Sequence, residues 1–157
     1  MSKISPFLWF DNQAEEAVAF YLSVFANAKA GPISRYGDAG PGPKGQVMVA
    51  SFDLDGITFN CLNGGPQYKF SEAISFQVSC KGQAEVDVLW DKLTADGGQP
   101  GPCGWLKDKF GLSWQIVPEG LPRLIGDPDP AKARRATEAM LKMGKLDIAA
   151  LEAAALG

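Results

Sequence analysis

The run QAEEAV at residues 13–18 returns seventy positions later as QAEVDV at residues 83–88. At the same offset Ile4-Ser5 meets Ile74-Ser75, Gly31-Pro32 meets Gly101-Pro102, and Asp38 meets Asp108. Nine of the 35 positions from 4 to 38 are identical, where unrelated stretches would share about two, and a fixed-period match of this kind predicts one structural unit used twice. No composition figure narrows the fold as far, because whatever the first unit builds the second must build as well.

Local patterning says what that unit is. Ile4 to Phe10 is short, apolar and aromatic, and Ala14, Ala17, Val18, Tyr21, Leu22 and Phe25 then recur at helical spacing, with Asn12 and Glu15 in the form of an N-cap and N3 pair. A strand follows from Gly31 to Tyr36, then the turn-forming GDAGPGPKG, a strand at Gln46 to Leu54, an Asp55-Gly56 hairpin and a strand at Ile57 to Leu62. The second half repeats the opening with a strand at Ala73 to Cys80 and a helix at about Gln83 to Ala95. Strands near Pro102 to Leu106 and at Leu112 to Val117 complete it, and one clear hairpin is lacking. Asp129-Pro130 and Asp147 then mark the starts of two further helices. The expected fold class is α+β, one domain over 1–157 with repeat one at about 4–62, repeat two at about 73–118 and a C-terminal helical extension at about 121–157. Within that extension Leu141, Leu146, Ile148 and Leu151 can cover either the chain's own domain or a partner, and Lys132, Arg134, Arg135, Lys142 and Lys145 form a solvated face.

Composition removes several classes of function. With no histidine, Ser-His-Asp and Cys-His nucleophile systems and every His-containing metal site are excluded. A net charge of −3 without a basic stripe argues against nucleic acid as a partner. No apolar run reaches the roughly 20 residues that span a bilayer, and no signal-peptide pattern precedes the first strand, so no membrane partner and a cytoplasmic location are expected. Cys61, Cys80 and Cys103 are too few and too widely spaced for a zinc site. They are expected as reduced thiols, with Cys103 the accessible one and no neighbouring base to make it a nucleophile.

Two βαβββ units in tandem resemble the vicinal oxygen chelate superfamily, which includes glyoxalase I, extradiol dioxygenases and fosfomycin resistance proteins. PFLWFD, QAEEAVAFY, NGGPQYKF, EAISF and CGWLKDKFGLSWQIVP are similar to the PhnB-like branch, whose members are often labelled 3-demethylubiquinone-9 3-methyltransferase. The resemblance spans about residues 4 to 150 and implies paired sheets curled into a cupped mixed sheet, commonly in a homodimer. It also implies metal ligands on the first and last strands of each half. Ser5 and Ser75 stand at the equivalent first-strand positions, and aligning GITFNCL with GLSWQIV puts Asn60 and Gln115 where the metalloenzymes carry carboxylates or histidine. All four are neutral, so the expected metal complement is none, and no other cofactor is indicated.

Period-two alternation places Ser75, Gln77 and Ser79 on one face of their strand, Thr58, Asn60 and Leu62 on one face of theirs, and Ser113, Gln115 and Val117 likewise. Phe7 and Trp9 fall on the Ser5 side. This pattern suits either a solvated sheet face or a pocket for a small-molecule ligand, and the resemblance to a cup favours the pocket. Arg35 is a further candidate, as a carboxylate clamp or as one half of a surface ion pair. Tyr68, Lys69 and Phe70 are either a lid or ordinary loop packing. Trp90, Trp105 and Trp114 are assigned to packed layers, and Glu72 is the acid left without a structural explanation. Three functions stay open: a metal-independent binder or enzyme of small organic molecules, the labelled methyltransferase, and a non-enzymatic dimeric interaction module. No glycine-rich strand-to-helix loop for a methyl donor is present.

Overall fold

Element by element, the two halves of the chain fold in the same order. In a computed structural model of the protein, residues 2–157 are described. They form two compact units, the first running through Phe70 and the second spanning Ser71–Gly157.

In the first unit, β1 (Phe7–Phe10) leads into α1 (Ala14–Val24), and β2 (Ala28–Arg35), β3 (Val47–Leu54) and β4 (Ile57–Asn63) follow. The sheet order is β1-β4-β3-β2, with β1 parallel to β4 and the other pairs antiparallel. Asp55 and Gly56 both adopt positive φ, 53° and 82°, the geometry of the two-residue hairpin expected for Asp-Gly. Ala14, Ala17, Tyr21 and Val24 form the buried stripe of α1. Tyr21 stacks on Phe52 and Phe52 on Phe59, at centroid separations of 5.3 and 5.1 Å. The expected Asn12 cap is not made. Instead the Ala14 N–H donates to Asn63 Oδ1 at 2.8 Å, while Asn63 Nδ2 donates to the Val47 carbonyl at 3.0 Å. The orphan donor of the helix start is satisfied from the far end of the module, which no local spacing can reveal.

The second unit contains β5 (Ser75–Cys80), α2 (Gln83–Thr94), β6 (Gln99–Pro100), β7 (Trp105–Lys107) and β8 (Ser113–Pro118), ordered β5-β8-β7-β6. The hairpin missing from the sequence pattern is present. Its first strand is two residues long and includes a proline, so it shows neither alternation nor strand propensity. The turn depends on Cys103 and Gly104 at φ 58° and 84°, closed by Gly101 N–H donating to the Trp105 carbonyl at 2.8 Å. The parallel pairs confirm the duplication independently of residue identity: Phe7 pairs Asn60 through Phe10 with Asn63, and Gln77 pairs Gln115 through Cys80 with Pro118. The first strands are offset by 70 residues and the last by 55 in every one of these pairs.

Beyond β8, α3 (Leu121–Ile125), α4 (Pro130–Leu141) and α5 (Ile148–Leu156) form the C-terminal extension. The five-residue α3 went unpredicted. Asp129 and Asp147 cap the other two as expected, accepting from the N–H groups of Ala131 and Ala150. Leu121, Leu124, Ala136, Leu146, Leu151 and Ala155 close around Val117 of β8, so the extension covers its own unit, with Leu141 left exposed. The Gln83 side chain fixes it to α2, donating to the Leu146 carbonyl and accepting from the Ile148 N–H, both at 2.9 Å. Three of the cations assigned to a solvated face have partners: Arg135 donates to the Ala155 carbonyl at 2.7 Å, Lys145 pairs with Asp87 at 2.9 Å, and Arg134 pairs with Glu138 at 2.8 Å while staying exposed. Among the described residues, no helix is long and apolar enough to cross a membrane.

Candidate functional site

Each sheet turns one face to its helix, and the sequence alternation identifies that face correctly on the strands that matter. On β1, Leu8 and Phe10 are buried while Phe7 is 60% exposed and Trp9 half-buried. On β4, Phe59 and Cys61 are buried while Thr58 is exposed and Asn60 half-buried. On β8, Trp114 and Ile116 are buried, as is Leu112 just before the strand, and Gln115 stands on the opposite face with Ser113.

At the corner of each sheet an amide is joined to a hydroxyl. Asn60 Nδ2 donates to Ser5 Oγ at 3.2 Å, and Gln115 Nε2 donates to Ser75 Oγ at 2.9 Å. These are the four residues placed at equivalent positions by the repeat, and the structure brings them together two by two. Gln77 lies directly across from Gln115 in the parallel ladder, as Phe7 lies across from Asn60. The polar corner is therefore flanked by an aromatic ring in the first unit and by a second amide in the other.

Trp9 is held in place from the loop after β4. Its Nε1 donates to the Gly65 carbonyl at 2.8 Å, and Tyr68 meets the indole edge-on at 4.9 Å. Gly64 lies so close to that indole that a Cβ there would come within 2.4 Å of it, so the glycines of NGGPQY are what let the loop cross the ring. Phe70 packs edge-on to Phe10 in the same way. Residues 64–70 thus pack against β1, with the Tyr68 ring itself exposed. Thr58 shares the Asn60 face. Arg35 ends the edge strand β2 and is exposed, its Nη1 donating to the Gly45 carbonyl at 3.0 Å.

In the second unit Trp105 pairs with Gln115 and Lys107 with Ser113, so these side chains share the face of the amide corner. Trp105 is only half-buried, a correction to its assignment to the packed layers, whereas Trp90 and Trp114 are buried. Glu72, unexplained in sequence, pairs with Lys107. The Lys107 hydrogen bond and charge hold its carboxyl below the usual range. Asp108 explains how β8 is set. Its Oδ1 accepts from the Phe110 and Leu112 N–H groups and its Oδ2 from Trp114 Nε1, all within 3.1 Å. Gly111, at φ 87°, completes the three-residue turn that delivers Ser113 and Gln115 to their places. Spacing alone had marked Asp108 as a turn residue and no more.

Cys61 and Cys80 are fully buried, and burial pushes their thiols up to about 12 and about 11. Cys103 is half-buried, within the β6–β7 turn. Among the described residues no three His, Cys, Asp or Glu side chains converge on a point.

A family model described as 3-demethylubiquinone-9 3-methyltransferase matches residues 2–117. A PhnB protein from Bacillus cereus with the same methyltransferase description is 36% identical, covering 74% of this chain and 99% of its own length, with a TM-score of 0.65. A Pseudomonas aeruginosa protein at 22% identity, over 76% of this chain and 98% of that one, has a TM-score of 0.62. A fosfomycin resistance protein from Listeria monocytogenes, solved with Mn(II) and sulfate, is 20% identical over 74% of this chain and 91% of that one, with a TM-score of 0.51. The last two are likenesses of fold alone. No curated protein matches the chain. The donor set does not fit a divalent metal such as the Listeria protein's Mn(II): Ser5, Asn60, Ser75 and Gln115 offer only neutral dipoles, already hydrogen-bonded in pairs, too weak to offset dehydration of the ion. Matched over most of its length by the family model and 36% identical to the Bacillus protein over 74% of its length, this chain belongs to the PhnB-like 3-demethylubiquinone-9 3-methyltransferase family, and its fold is like that of the Listeria fosfomycin resistance protein.

Proposed function

We propose that this protein binds a small organic molecule on the polar and aromatic face of its sheets, and that it does so without a metal ion. The observation that carries this reading is the neutral amide–hydroxyl pair repeated at both corners, Asn60 with Ser5 and Gln115 with Ser75. An amide and a hydroxyl together have more hydrogen-bonding capacity than one mutual bond uses, and no charge that a neutral ligand would have to bury unpaired. The half-buried Trp9, locked by Gly65 and Tyr68, adds a rigid ring surface in the first unit. Ser5, Phe7, Trp9, Thr58 and Asn60 would form the contact face there, and Ser75, Gln77, Ser113 and Gln115 in the second. Arg35 would lie at the edge of the first face.

Elemental analysis after incubation with Mn(II), Zn(II) and Ni(II) and gel filtration tests the metal-free claim, with far less than one ion per chain expected. About one retained ion per chain, lost in Gln115→Ala, would sink it. A thermal-shift panel of neutral and charged small molecules tests the binding claim, with stabilisation expected from neutral compounds and reduced in Asn60→Ala or Gln115→Ala.

The methyltransferase description finds no support in the geometry. Both strand-to-helix connections, residues 11–13 and 81–82, are short and lack the glycine-rich phosphate-binding form of a doubly wound fold. Calorimetry with S-adenosylmethionine is expected to show no binding. A self-associating role is a second reading, favoured by the exposure of Phe7, Ile57 and Ile74. Sedimentation at micromolar concentration would show a dimer.

A further inference from the structure

The second unit contains a hydroxyl for which the protein supplies no partner. Ser113 is 1% exposed, and no protein group lies within hydrogen-bonding reach of its Oγ. A buried hydroxyl is unfavourable unless something pairs with it. Ser113 borders a cleft of ≈360 Å³ walled by Pro100, Pro102, Trp105 and Leu106 of the β6–β7 hairpin. Glu72 and Lys107 also border the cleft but pair with each other, so their charges are matched. What remains is a largely apolar volume whose lining includes the exposed Gln99 and the unpartnered, buried Ser113 hydroxyl.

The walls are tied down. Cys103, which lines the cleft, donates its N–H to the Met143 carbonyl and Gly104 donates to the Gly144 carbonyl, both at 2.8 Å. The hairpin is thereby anchored to the segment between α4 and α5.

We propose that this cleft is the ligand seat of the second unit. It takes an uncharged, largely apolar molecule of up to about 20 non-hydrogen atoms that carries one hydrogen-bonding oxygen and sets it against Ser113. This deepens the binding role proposed above and rests on it, placing the ligand on the hairpin side of β8, where Trp105 pairs with Gln115. An anionic ligand is disfavoured because it would have to separate Lys107 from Glu72 and bury its own charge among prolines.

Three matched probes test the assignment on the full chain by calorimetry: 2-acetylnaphthalene, 2-ethylnaphthalene and 2-naphthoate. The ketone is expected to bind at least about fivefold more tightly than the hydrocarbon, as one added hydrogen bond allows, and the carboxylate more weakly than either. Ser113→Ala should bring the ketone down to the hydrocarbon's affinity and leave the hydrocarbon unchanged. N-ethylmaleimide, expected to reach the half-buried Cys103 but not the buried Cys61 and Cys80, should abolish binding of both, and Cys103→Ser should make binding insensitive to the reagent. Equal affinity for ketone and hydrocarbon, preference for the carboxylate, no binding by any probe, or a ketone preference that survives Ser113→Ala would each overturn the assignment. If ketone binding persists in Ser113→Ala and after alkylation but is lost in Gln115→Ala, the broader binding role stands and this seat for it falls.

Discussion

Gln13 and Gln83 are the same residue of the same repeat, yet Gln13 sits exposed at the start of α1, whereas Gln83 makes two hydrogen bonds that fasten the C-terminal extension to α2. The two hairpin aspartates diverge likewise. Asp53 accepts one N–H, from Gly56, near the surface. Asp108 is buried and accepts three donors, including the Trp114 indole. Both modules keep the ladder register, and the second has added interior: a turn one residue longer and three more helices. Duplication preserved the geometry of the amide corners, while the added packing changed what an identical residue is worth.

The largest expected break in that comparison is at the aspartates. Asp108→Ala leaves the Trp114 Nε1–H and two backbone N–H groups without their acceptor in a buried site, and should cost about 3–5 kcal/mol in urea denaturation. Asp53→Ala should cost only about 0.5–1 kcal/mol. Equal losses would mean that the two turns are equivalent after all.

Leu146→Ala, which opens the core of the extension, should cost about 2–4 kcal/mol, independent of protein concentration because the extension packs on its own unit. A concentration-dependent loss would move that core to a partner chain. Gln83→Ala should cost about 1–2 kcal/mol and Gln13→Ala less than about 0.5 kcal/mol, since only the former leaves a buried N–H and C=O unpaired.

The smallest effect concerns the thiols. At pH 8 a thiol reagent should titrate one cysteine per folded chain, Cys103, and all three in urea. Because burial raises the folded pKa of Cys61 to about 12 and of Cys80 to about 11, the stability linked to these neutral thiols is whole below the unfolded thiol pKa of about 8.5 and is lost as pH rises through the folded values. A midpoint that falls between pH 8 and pH 10.5 checks the sign, and more than one fast thiol at pH 8 would contradict the burial.

Much of the site was legible in the chain, and the reasons are local. The apolar–polar alternation of GITFNCL and GLSWQIV has the period of a strand, so it identified the helix-packed face without any tertiary knowledge. The repeat offset of seventy then placed Ser5 with Ser75, and the alignment of those two runs placed Asn60 with Gln115. Alternation cannot report cross-strand contact, so the pairing of each amide with its hydroxyl appeared only in the structure. Glu72 looked purposeless because its partner Lys107 is far away in sequence, and Trp105 looked like core because aromatic residues usually are.

By itself, the sequence determined that one βαβββ unit occurs twice, in which register, and with the neutral residues Ser5, Asn60, Ser75 and Gln115 at its matched positions, because identity, period and charge are properties of the chain before it folds. The tertiary structure alone decided that Asn63 caps α1, that Gln83 secures the extension, that the two-residue β6 exists, and that Ser113 is buried beside a cleft without a protein partner. Each of these depends on groups distant in sequence meeting within hydrogen-bonding or packing range, and only the folded chain sets those distances.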